Sequence, residues 1–145
     1  MQMIRTIRAL DGILYSLLAL LALLLHPTVG RDPLGGIDLF CAIPAFTLAW
    51  FCLGLPAAML AESKWQHGVH RLRLSALAFA GLAPFAVWWL RRPASNYLVV
   101  NFLLCALAGA CVAFFLTVVC GQLSRELGRS HLAWESRLAR GIVFW

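Results

Sequence analysis

Residues Tyr97–Gln122 read YLVVNFLLCALAGACVAFFLTVVCGQ, a run without a single Asp, Glu, Lys or Arg. A hydrocarbon layer about 30 Å thick takes roughly 20 apolar residues in a helix, because backbone N–H and C=O groups there can be satisfied only within the segment. This run is long enough to cross with tilt to spare. It predicts a transmembrane helix over 97–122, and the rest of the chain is read from it.

Three further apolar stretches precede it. The first, Leu-rich from Gly12 to Leu25, is short, so its helix starts upstream and covers about residues 4–25, with Asp11 near the headgroups. Its basic start (Arg5, Arg8) gives it the look of a signal peptide, and it is read as a retained signal anchor. The second runs over 39–61 and contains Pro44, Gly54 and Pro56; the third runs over 74–90 and contains Gly81 and Pro84. The expectation is an all-α integral membrane protein with four transmembrane helices, paired as two hairpins, in a domain over 1–122. A C-terminal amphipathic cytoplasmic helix over 123–145 follows.

The composition agrees. Hydrophobic residues make up 62% of the chain and charged ones 12%, with mean hydropathy +0.84, whereas soluble domains run at about half apolar and about a quarter charged. A disordered chain, which needs low hydrophobicity and high net charge, is excluded as well. The net charge of +6 is not accompanied by a basic run or a stacking module, so nucleic acid is not an expected partner. The expected surroundings are the lipid bilayer and either other membrane subunits or further copies of the chain.

Orientation follows from the Lys and Arg residues between the spans. Arg5 and Arg8, the middle loop with Lys64, Arg71 and Arg73, and the tail with Arg125, Arg129, Arg137 and Arg140 outweigh Arg31, Arg91 and Arg92 in the other two loops. Both termini are therefore expected in the cytoplasm, in a bacterial inner membrane. Trp88 and Trp89 then belong to the outer interface and Trp65 to the inner one. In the tail, Leu127, Trp134, Leu138, Ile142 and Trp145 form an apolar stripe flanked by charge. Such a helix lies on the membrane surface or docks on a partner.

Catalytic chemistry finds little to stand on. The acids Asp11, Asp32, Asp38, Glu62, Glu126 and Glu135 all fall at span ends or outside them, which argues against proton-coupled transport and against an intramembrane aspartyl enzyme. The five cysteines form no CxxC pair and read as small apolar residues. His67, His70 and His131 are weak metal-ligand candidates. Beside Lys64 and Arg71 the loop histidines read more readily as headgroup contacts, so no metal or other cofactor is expected.

The most specific pattern lies in the fourth span. Asn101, Cys105, Gly109, Ala113, Thr117 and Gly121 recur at a step of four, and every one is small or polar. Small residues let helix backbones approach, and Asn or Thr can bond across the contact, so these six are the candidate packing interface, within the chain or between subunits. Span three carries a looser set, Ala76, Ala80, Ala83 and Ala86. Pro44, Pro56 and Pro84 free backbone carbonyls, which in some transporters line a substrate site.

The reading that results is a small non-catalytic accessory or anchoring subunit of a larger membrane complex, a transporter or an electron-transfer assembly. An oligomeric carrier or channel, or a cofactor protein using the cytoplasmic histidines, are the alternatives. The layout is similar to the small four-helix subunit of TRAP-type transporters, with Trp50, Gly54 and His67 in comparable places around the second helix. Where that family has an acidic pair at the start of this helix the chain has Gly36-Ile37-Asp38, and membership is not assigned.

Overall fold

The computed structural model of the chain describes residues 2–25, 37–57, 63–91 and 94–126. Among them every regular element is an α-helix: α1 Gln2–Leu25, α2 Ile37–Gly54, α3 Ser63–Arg91 and α4 Asn96–Glu126. The upstream start of α1 and the full length of the fourth apolar run agree with the hydropathy reading.

Helix α4 continues to Glu126, four residues past the predicted 122 and into the segment read as tail, and two boundaries differ more. Helix α2 stops at Gly54, short of the predicted 61, and the chain passes through Leu55, Pro56 and Ala57 without helical structure. Pro56 disfavours helical backbone at Leu55, and Gly54 is a weak helix former. Helix α3 starts at Ser63, eleven residues before the predicted 74. The middle basic loop is therefore helix, and Lys64, His67, His70, Arg71 and Arg73 stand on its first turns. Trp65, Val69, Leu72, Ala76, Ala80 and Ala83 are buried along α3. Their steps of three and four form a helical stripe that the intervening charges conceal from a hydropathy average.

The helices run antiparallel to their sequence neighbours. Early α1 meets late α2 where Gly12 lies against the Phe51 ring and Ser16 Oγ pairs with Thr47 Oγ1 at 3.0 Å. Early α3 meets late α4 at Gly68, beside Val118, Val119 and Gln122, and late α3 meets early α4 where Trp89 stacks on Phe102 with centroids 4.2 Å apart. Close backbone approaches join α1 to α2, α2 to α3 and α3 to α4, and among the described residues no other pair. The four helices thus form an open row, with one buried cluster running through it from Ala9 and Ile13 of α1 to Val112 and Val119 of α4.

An open row leaves large side chains uncovered. Tyr15 and Trp50 are 71% and 74% exposed, and Leu14, Leu18, Phe46, Leu77, Val100, Leu103 and Leu107 are exposed with them. Apolar area on this scale marks a membrane or a partner surface. Lys64–Trp89 of α3 and Asn96–Glu126 are long and apolar enough to cross a membrane, while the apolar part of α2, Ala42–Gly54, is shorter.

Candidate functional site

Helix α3 opens with SKWQHGVHRLR, in which large apolar and charged residues alternate around the helix. Burying Trp65, Val69 and Leu72 on one side turns Lys64, His67 and Arg71, three and four residues apart, to another, where side chains at such spacings are neighbours. All three are exposed. Gly68, among them, is buried and brings α4 close: a Cβ there would stand 3.4 Å from Gln122 Oε1 and 3.6 Å from Val119 Cγ2.

Across from this row, with its Lys64 and Arg71 charges, α4 presents Phe114, Phe115 and Val118. The two rings meet edge to face, with centroids 5.3 Å apart and planes at 70°. Together the two helices enclose an open groove of about 370 Å³, cationic on the α3 side and aromatic on the α4 side. That volume lies at the lower end of the range for small-molecule sites, roughly 300–1,000 Å³. Next to it the Gln122 side-chain oxygen is buried without a hydrogen-bond partner.

The six small or polar residues of α4 do not share one neighbour. Cys105 and Gly121 are buried, and Gly109 lies against the Phe79 ring of α3, 3.2 Å from where a Cβ would stand. A step of four turns the stripe by about 40° each time, so six members sweep about 200° of the helix surface. Cys105, Val112 and Val119, the buried residues recurring at steps of seven on the side towards α3, stay within about 40° of one another. Ala113 and Thr117 are turned away from that line and only partly covered. The polar members bond within α4: Asn101 Nδ2 donates to Tyr97 O at 2.8 Å and Thr117 Oγ1 to Phe114 O at 2.7 Å.

His67 and His70 are both exposed on α3. His131 and the tail residues Leu127, Trp134, Leu138, Ile142 and Trp145 lie outside the described residues. Among the described residues no group of three His, Cys, Asp or Glu side chains gathers.

Two residues acquire roles that hydropathy did not give them. Trp65, expected at an interface, is fully buried and its Nε1 donates to Pro56 O at 3.2 Å. Arg73, expected in a loop, sits on α3 and its guanidinium donates to Leu55 O. Both take carbonyls of the non-helical segment that follows α2, where the backbone has no helical partner to offer. Comparison with known protein-family models, with curated proteins and with solved structures finds no match.

Proposed function

We propose that this chain is a small non-catalytic accessory or anchoring subunit of a larger bacterial inner-membrane complex, a transporter or an electron-transfer assembly, acting through helix packing. The observation that carries this reading is the open row. Among the described residues α4 packs on α3 alone, and its first half leaves Tyr97, Val100, Leu103, Leu104 and Leu107 exposed. Helix α1, at the other end of the row, exposes Ile4, Ile7, Leu14, Tyr15, Leu18 and Leu21. A four-span protein working alone gains by closing into a bundle that gives each helix two neighbours. A subunit keeps its outer helices free, and small residues such as Ala113 and Thr117 on the side of α4 away from α3 suit close approach by a helix from another chain. In this reading all four helices cross the membrane, both termini are cytoplasmic, and the tail docks on the cytoplasmic face.

The test is in-membrane photocrosslinking from positions 103 and 107 of the full chain, with mass spectrometry of the adducts and copurification in mild detergent. The expected product is a defined adduct to a second membrane protein that copurifies. A monodisperse homo-oligomer that carries a solute across liposomes, with crosslinks only to itself, overturns the accessory reading in favour of a carrier.

A further inference from the structure

We propose that the groove between α3 and α4 holds one anionic phospholipid, its phosphate on Lys64, His67 and Arg71 and its first acyl segment against Phe114, Phe115 and Val118. The proposal rests on the reading of α3 and α4 as membrane-crossing. Several observations converge on this ligand. The groove has two chemically distinct walls, as an amphiphile does: cationic donors for a phosphate, and phenyl and isopropyl groups for a chain. A free phosphate would leave the aromatic wall wet, and an uncharged lipid would make no use of the positive charges of Lys64 and Arg71. The depth agrees as well. Past Arg71 and Arg73 the surface of α3 becomes apolar, with Leu74 and Leu77 exposed at 55% and 47%, so the cationic row lies where headgroups give way to acyl chains. Basic pockets between membrane helices on the cytoplasmic side are known sites for anionic headgroups. Finally, the arrangement is built by buried structure. Gly68 permits the close approach of α4, and Trp65 and Val69, fully buried on either side of it, fix the rotation of α3 that aims Lys64, His67 and Arg71 at one place.

The experiment uses the purified full chain in a neutral maltoside detergent, titrated with phosphatidylglycerol or phosphatidylcholine and read by native mass spectrometry for bound lipid. One phosphatidylglycerol is expected to be retained in preference to phosphatidylcholine. Arg71→Gln should weaken that preference about fivefold and Lys64→Gln with Arg71→Gln by about the square of that. Arg8→Gln, which removes the same charge elsewhere, should leave it intact. Val118→Trp keeps every charge but fills the groove, and should abolish retention. Equal retention of the two lipids, an equal loss in Arg8→Gln, full retention in Val118→Trp, or complete displacement of the lipid by inorganic phosphate at equal concentration overturns the proposal. Alkaline carbonate washing separates the two readings. A chain released from membranes removes the membrane-crossing reading and the groove with it, whereas a chain that stays and shows no lipid preference removes the groove alone.

Discussion

Trp65 shows how one side chain can hold two helices in register. Among the described residues it is the largest that is fully buried, on the first turn of α3 within the common buried cluster, and its indole N–H reaches the Pro56 carbonyl after α2. Truncating a buried aromatic to alanine costs about 3–5 kcal/mol through lost burial and the cavity left behind. Replacing it by phenylalanine keeps most of the ring and removes the donor, at a cost of about 1 kcal/mol. The expected order of thermal unfolding midpoints in detergent is therefore wild type, Trp65→Phe, then Trp65→Ala well below. A midpoint for Trp65→Ala within a degree or two of wild type would mean that the indole is not part of the core. Arg73 acts beside it on the Leu55 carbonyl, so the end of α2 is held by two side chains from one helix. Neither partnership is legible in the sequence. Trp65 carries the signature of an interfacial aromatic and Arg73 that of an orienting charge, and only the position of the preceding chain end decides otherwise.

Among the elements, α3 and α2 show where hydropathy succeeds and where it stops. The apolar runs that became α1 and α4 contain no competing signal over most of their length, and their extents follow directly. The last predicted turns of α2 were lost to Gly54 and Pro56, residues whose effect on helical backbone is visible in the sequence and outweighed there by the apolar average. The first turns of α3 are concealed for the opposite reason: Lys64, His67, His70, Arg71 and Arg73 dominate the average, while the spacing of Trp65, Val69, Leu72 and Ala76 is helical throughout. The groove is hidden in the sequence for the same cause, since Lys64, His67 and Arg71 have the composition of a loop and Phe114, Phe115 and Val118 that of an ordinary span. Contacts between elements depend on finer geometry, and the glycines show it. A Cβ on Gly12 would stand 2.4–2.5 Å from atoms of the Phe51 ring, including the one nearest its backbone, whereas a Cβ on Gly81 meets nothing within 4 Å. Gly12→Ala should thus destabilise the α1–α2 seam by about 1–3 kcal/mol through overpacking. Gly81→Ala should be neutral or stabilising by about 0.5–1 kcal/mol, as expected for a helix interior. Measured side by side in one detergent, equal midpoints for the two variants would contradict the α1–α2 contact.

At the scale of the whole molecule, antiparallel packing collects the early turns of α1 and α3 and the late turns of α2 and α4 at one end. Arg5, Arg8, Lys64, Arg71, Arg73 and Arg125 lie there, and Tyr97 lies at the other. In the proposed topology, and in a cysteine-free background, Lys64→Cys and Glu126→Cys should react with a membrane-impermeant maleimide from the cytoplasmic side and Tyr97→Cys from the opposite side. Reaction of Lys64→Cys and Tyr97→Cys from the same side would show that α3 does not cross. The open row also bears on how the protein is made. Because among the described residues each helix closely approaches only its neighbours in sequence, every such backbone contact joins segments that leave the ribosome in succession. The Ser16–Thr47 bond and the Gly12–Phe51 contact need only α1 and α2, so the hairpin they close does not depend on α4. Among the described residues no helix depends on a partner distant in sequence, and such local topologies close short loops and fold fast.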